Sequence, residues 1–153
     1  MNIQIKNNKN LKEFLKTKKN CNFLIISGRK SFFKSGANIL FKNLNLSNFK
    51  IYLKNSIYPT LSEINKIIKI IKYFKPNYII SVGGGSVIDL AKISNLFAKQ
   101  KKAIPSFLKK KLIFKNYCKS IVVPLTAGSG SEATSFAVVY YKKKSFLLRV
   151  SNY

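Results

Sequence analysis

Acidic residues are almost missing from this chain. Four carboxylates, Glu13, Glu63, Asp89 and Glu132, stand against 29 lysines and arginines, and there is no histidine. So thin a supply offers no acid cluster of the kind that holds a metal. Cysteine is scarce too. Cys21 and Cys118 lie far apart without metal-ligand spacing, and they read as reduced thiols of a cytoplasmic protein. No apolar run approaches the roughly 18 residues of a membrane span, and the opening MNIQIKNNKNLKEF has no signal-peptide core. Internal repeats and low-complexity linkers are absent as well. The 153 residues, 46% of them hydrophobic, are therefore expected to form one domain with a real core.

The scarcity of acids leaves a formal net charge of +25, which raises the question of a nucleic-acid partner. Arginine, the usual base-reading cation, is limited to Arg29 and Arg149, and the lysines are spread along the whole chain. Specific nucleic-acid surfaces concentrate arginine and interleaved aromatics. Contact with nucleic acid is accordingly expected to be non-specific and salt-sensitive, and a basic nucleic-acid-binding protein is the least favoured reading.

What the chain does contain alternates in type. Leu11 to Lys18 has the spacing of a short amphipathic helix. Phe23 to Ser27 reads as a strand ended by Gly28. Arg29-Lys30-Ser31 then leads into a helix running through Ala37 and Leu40. Lys50 to Leu53 is a second strand. Pro59 marks a loop, and Thr60 or Ser62 caps a helix whose Ile64, Ile67, Ile68, Ile71 and Phe74 recur at helical spacing until Pro76-Asn77. A third strand, Tyr78 to Val82, precedes a glycine turn and a helix from Ser86 to about Lys99. Lys101 to Asn116 is basic and irregular, a loop with room for a short helix. Ser120 to Val123 is a fourth strand. Phe136 to Tyr141 and Phe146 to Val150 flank Lys142-Lys143-Lys144-Ser145 as a β-hairpin. Strands alternating with helices predict an α/β fold: a Rossmann-like open parallel sheet with helices on both faces, plus a hairpin near the carboxyl end.

The organising stretch is Ser81 to Lys92, SVGGGSVIDLAK. Strand, glycine turn and helix start follow one another. Glycine lets backbone approach a bound group without a Cβ in the way, and the first N–H groups of the helix then make an anion site, most often for phosphate. Ser86 is suited to cap that helix. Ligands in open parallel sheets bind beyond the carboxyl ends of the strands, where Gly28, Gly83-Gly84-Gly85 and the loop after Pro124 all fall.

Two stretches carry a resemblance. SVGGGSVIDLAK resembles the GGGSxxDxAK signature of the iron-containing alcohol dehydrogenase family, and VPLTAGSGSEATSFAVV resembles its second signature, PTTAGTGSExTxxAV. FLIISGRKSFFKSGA is similar to the family's first strand and following helix. The resemblance implies a domain that binds NAD or NADP, joined in full-length members to a helical domain. There an aspartate and three histidines hold iron or zinc, and hydride passes between the cofactor and an alcohol or aldehyde. It further implies that Gly84, Gly85 and Ser86 approach the cofactor diphosphate. Asp89 is expected to shape the turn through hydrogen bonds, or else to serve the helix dipole as a first-turn acid. Thr126, Ser129 and Ser131 are expected to line the cofactor, with Thr134 and Phe136 toward its ribose and nicotinamide. Leu125 and Ser129 replace the usual threonines, and Glu132 is expected to make a loop hydrogen bond.

Gly28 stands where NAD-preferring members carry an acid. With Arg29 and Lys30 next to it, this favours NADP slightly. Without histidine, and with the chain ending near the close of the first domain, the helical metal-binding half is expected to be absent and the chain alone unable to bind the metal. A separate helical chain is then the expected partner, with self-association into a homo-oligomer through apolar residues such as Leu147, Leu148 and Tyr153. The alternative is a non-catalytic nucleotide-binding remnant of a truncated or split gene.

Overall fold

The computed structural model describes residues 2–4, 8–18, 20–44, 48–100, 115–126 and 128–150. Five parallel strands form the main sheet: β1 (Asn2–Gln4), β2 (Phe23–Gly28), β3 (Phe49–Lys54), β4 (Tyr78–Gly83) and β5 (Lys119–Pro124), in the order β1-β5-β4-β2-β3. The helices are α1 (Asn8–Lys16), α2 (Arg29–Lys34), α3 (Ala37–Asn43), α4 (Leu61–Phe74) and α5 (Gly85–Ala98). An antiparallel hairpin, β6 (Phe136–Tyr141) and β7 (Lys144–Arg149), closes the described chain.

Both faces of the sheet are covered, and the strand sequences show why. Leu24, Ile26 and Ile79 point to one side, where they pack with α4, α5 and the hairpin residues Ala137 and Val139. Their neighbours Phe23, Ile25, Tyr78, Ile80, Val82 and Ile121 point to the other, against Leu11 and Leu15 of α1, Phe32 of α2 and Phe41 of α3. Parallel strands buried on both faces read as continuous apolar runs rather than alternating ones. Each fully buried isoleucine or leucine contributes about 1.5–3 kcal/mol.

Chain order reverses at the middle of the sheet. From β2 the chain crosses to the edge strand β3. From β4 it leaves by α5 to β5 on the other side. β2 and β4 are paired, Ser27 opposite Val82, so a crevice opens beyond their carboxyl ends. In such sheets that is the ligand position.

Four expectations need correction. The helix expected from Arg29 through Leu40 is two helices, because Gly36 takes a left-handed φ of 72° between them. The hairpin turn is tighter than the lysine run suggested. Lys142 and Lys143 alone turn the chain, at φ 48° and 62°, and Lys144 already pairs with Tyr141. Leu147 is exposed as expected, but Leu148 packs against the core. β1, which had no strand signal, pairs in parallel with β5. Most of the basic stretch from Lys101, and Tyr153, lie outside the described residues.

The return of the chain to β5 rests on one polar side chain. Asn95, fully buried in α5, donates to the Cys118 carbonyl and the Ser120 hydroxyl, each at 2.9 Å, and its carbonyl accepts the Cys118 N–H at 3.0 Å. Leucine has nearly the same branched shape but none of these groups. Asn95→Leu is therefore expected to lower unfolding free energy by about 2–3 kcal/mol, since buried partners are left unsatisfied; urea denaturation reads this. Burial also pushes the Cys118 thiol up to about 12 from 9.0. Between those pH values the unfolded chain loses a proton that the folded chain keeps, so stability falls as pH rises. Cys118→Ala is expected to lose less stability between pH 8 and pH 11 than the parent, in paired urea titrations.

Candidate functional site at the glycine turn

α5 begins at the glycine turn, and its start is open. Gly84 is the N-cap, at φ −82° and ψ −177°, with no side chain to satisfy the first N–H groups. The first bonds back to its carbonyl come from the N–H groups of Val87, at 2.9 Å, and Ile88, at 3.2 Å. The donors of Gly85 and Ser86 precede them and point out of the helix end. Ser86 is thus not the cap, as its residue type suggested. It lies inside the first turn, and its hydroxyl accepts from the Lys54 ammonium at 3.2 Å.

The glycines are required by proximity. A Cβ on Gly84 would lie 3.1 Å from the Thr126 hydroxyl oxygen. One on Gly85 would lie 2.9 Å from that of Ser131 and 3.2 Å from Ser129 Cβ. The second signature therefore folds directly over the first, and three hydroxyl side chains converge on the free end of α5. Gly28, at the end of β2, completes the crevice; a Cβ there would lie 3.7 Å from Val87 of α5.

Two buried charges of α5 hold the covering loop. Lys92, 8% exposed, donates to the carbonyls of Ser131, of Thr134 at 2.7 Å and of Phe136 at 3.4 Å. Asp89, also 8% exposed, accepts the Val138 N–H at 3.0 Å. Burial raises the Asp89 carboxyl above its ordinary range. The Val138 N–H, the Lys92 charge and the Ser131 hydroxyl all oppose that shift. Burial likewise lowers Lys92, opposed by Asp89 and Glu132.

The expected positions thus divide. Gly84, Gly85, Thr126, Ser129 and Ser131 come together, with Gly28 and Ser86 beside them. Thr134 and Phe136 lie further along the loop, tied down through their carbonyls, and the Phe136 ring is exposed. Asp89 is the fifth residue of α5, beyond the first turn; it grips the hairpin at Val138, with the Ser131 hydroxyl of the covering loop also bearing on its carboxylate. Glu132 Oε2 is buried without a hydrogen bond among the described residues, so the expected loop bond is not made there. Its charge instead supports Lys92.

Lys92, Lys54 and Glu63 were not singled out by sequence. Lys54 ends β3, 6% exposed, and donates to the carbonyls of Ser56 and Ile57, both at 2.6 Å, as well as to Ser86. Glu63, in the first turn of α4, accepts from the Ser56 hydroxyl and from the Asn55 N–H at 3.1 Å. Of the two expected caps, Thr60 and Ser62, the structure uses Thr60. Here the Glu63 N–H does bond Thr60 Oγ1, at 3.3 Å, while the carboxylate turns to the 55–56 loop.

A five-stranded parallel sheet covered on both faces, with a glycine turn at its switch point, defines a Rossmann-like α/β domain. The particular family is equally definite: the model of the family described as iron-containing alcohol dehydrogenase matches residues 4–151, and the chain belongs to that family. A long-chain primary alcohol dehydrogenase of Thermoanaerobacter ethanolicus is 32% identical over 146 residues, which cover 93% of this chain and 37% of that protein. A 4-hydroxybutyrate dehydrogenase of Clostridium kluyveri is 43% identical over 86 residues, 56% of this chain and 23% of that protein. The chain therefore spans well under half the length of these relatives.

Among solved structures, an NADH-dependent butanol dehydrogenase of Thermotoga maritima superposes with a TM-score of 0.81 at 21% identity, covering 97% of this chain and 39% of that one. A sulfoacetaldehyde reductase of Bifidobacterium kashiwanohense, solved with NAD+, gives 0.80 at 21% identity, covering 97% and 41%. These are likenesses of fold.

Lys92 is the residue on which the covering loop depends. Lys92→Met is expected to cost about 3–5 kcal/mol, because it strips partners from buried groups. It should also speed amide hydrogen exchange across residues 131–138 more than across β2 and β4. Denaturant melts and exchange mass spectrometry on parent and variant check both.

Proposed function

We propose that this chain is the nicotinamide-dinucleotide-binding part of an alcohol or aldehyde oxidoreductase. The observation that carries the reading is the meeting of an uncapped helix start with three hydroxyl side chains at the switch point of the sheet. Free N–H groups and hydroxyl donors suit an anion there, and a dinucleotide supplies one in its diphosphate.

In this reading Gly84, Gly85 and Ser86 receive the diphosphate. Thr126, Ser129 and Ser131 hydrogen-bond it from the loop above. Thr134 and Phe136 extend toward the ribose and the nicotinamide. Asp89 contributes at one remove, by fixing the hairpin through the Val138 N–H. When bound, the nicotinamide supplies or accepts the hydride. Gly28 leaves space beside the adenosine ribose. Arg29, the first and exposed residue of α2, then meets a 2′-phosphate, so NADPH is favoured over NADH.

The family metal does not fit the residues in hand. The sequence has no histidine, and among the described residues no three of His, Cys, Asp and Glu come together. We assign the metal and the substrate to a helical portion outside this sequence, supplied by the same protein or by a second chain. The protein as a whole is proposed to work in the cytoplasm and to self-associate.

Fluorescence titration at near-physiological salt tests the assignment. The parent is expected to bind NADPH at least as well as NADH. Gly85→Asp should abolish binding of both, since it places a carboxylate in the cradle and displaces Ser131. Gly28→Asp should shift preference toward NADH by about ten-fold, through repulsion of the 2′-phosphate. Failure of the parent to bind either nucleotide would refute the reading. Added iron or zinc is expected to give this chain no alcohol-oxidising activity, measured as NAD(P)H formation.

A further inference from the structure

The buried lysine at the end of β3 sits where the proposed dinucleotide reading needs a donor. An ammonium carries three N–H groups and no acceptor. All three of Lys54 are engaged: two by the carbonyls of Ser56 and Ile57, at 2.6 Å each, and one by the Ser86 hydroxyl oxygen, at 3.2 Å. One lone pair of Ser86 is therefore committed to the ammonium. Its oxygen faces the ammonium, and its own hydrogen must point elsewhere. Among the described residues no other hydrogen bond engages that hydroxyl, and Ser86 is half-buried at the open end of α5.

Ordinarily a serine in the first turn of a helix is free to accept or donate. Here one of its two lone pairs is already taken, by a side chain that cannot itself reach the crevice floor because it is buried and fully bonded. Lys54 is held in turn by the loop it bonds. Ser56 and Asn55 are fixed by the Glu63 carboxylate, and Tyr52 donates to the same carboxylate at 3.4 Å. Burial lowers Lys54 below the ordinary lysine range, and the Glu63 charge opposes that shift.

We propose that Lys54 is a positioning residue of the dinucleotide site: by donating to one lone pair of the Ser86 oxygen, its ammonium turns the Ser86 O–H away from itself and toward an oxygen of the bound diphosphate. This rests on the proposed function, since it names how one residue of that same site is set. It predicts that Lys54 acts through Ser86 rather than as a free charge.

A double-mutant cycle with ADP as the probe separates these possibilities. ADP carries the diphosphate, and adenosine, without it, is the control. In the full chain, Ser86→Ala is expected to weaken ADP about ten-fold, the loss of one hydrogen bond to a charged group. Lys54→Met is expected to weaken ADP by a similar factor in the parent background and not at all in the Ser86→Ala background. Adenosine binding should move in neither variant. Should Lys54→Met not fold, as a thermal melt would reveal, Lys54→Gln takes its place. It keeps N–H donors in the cavity and is expected to lose less than Ser86→Ala, again only where Ser86 is present.

An equal loss in both backgrounds would overturn the proposal, for Lys54 would then act as a charge or a loop anchor independent of Ser86. No loss in either background would overturn it as well. If the parent binds neither ADP nor NADPH, the dinucleotide reading itself falls, and this inference with it. If the parent binds both and the cycle shows no coupling, only the inference falls.

Discussion

A helix that is buried on every side must place its charged and amide side chains against partners of its own making. This constraint governs α5. From Val87 to Ala98 every residue is buried, among them Asp89, Lys92, Ser94 and Asn95. An unpaired buried charge or amide is costly enough to decide local structure. So the backbone groups that answer Asp89, Lys92 and Asn95 are fixed as firmly as the helix itself, while the Ser94 hydroxyl has no hydrogen bond among the described residues. Asn95 fixes the entry to β5. Asp89 fixes β6. Lys92 fixes the loop between them, which carries the second signature. One central helix thus presents the glycine turn at its amino end and holds the cover over that turn from its middle.

The sheet was legible in the sequence because its strands are buried on both faces. FLIIS, YIISV and SIVVP are too apolar and too short to be anything else between glycine and proline boundaries. β1 was not, because a three-residue edge strand declares itself by backbone pairing with β5 and not by side-chain pattern. The hairpin was legible from its β-branched and aromatic runs. Its turn was not, since Lys142 and Lys143 adopt positive φ that Asn or Gly would favour. Tertiary pairing of β6 with β7 overrides that local preference.

The candidate site divides in the same way. The glycines announce themselves by composition, the resemblance to the second signature pointed to Thr126, Ser129 and Ser131, and the fold brings these five residues together. Lysines do not announce themselves. In a chain with 29 basic residues, a lysine at a strand end or within a helix reads as solvated surface. What singles out Lys54 and Lys92 is three oxygens gathered around each, drawn from segments that only the fold brings near. The scarcity of acids held the stronger clue. Three of the four, Glu63, Asp89 and Glu132, lie beside one or other of these two lysines.

The closeness of the two signatures has a consequence for the site as a unit. Gly83, at φ 157°, takes a backbone angle that side chains disfavour, but Gly84 and Gly85 do not, since Gly84 sits at φ −82° and Gly85 is helical. They are there because Thr126, Ser129 and Ser131 occupy the space where their Cβ atoms would be. The hydroxyls can surround the helix end only if the glycines yield that space. The glycines, in turn, make a selective cradle only if the hydroxyls fill it, since bare N–H groups would otherwise be met by water. Each motif alone is therefore a weak sign of chemistry. Together, joined through Lys92, they form one surface of helix-end N–H groups and hydroxyls whose parts cannot be varied independently. That coupling is a physical reason for the two motifs to occur as a pair.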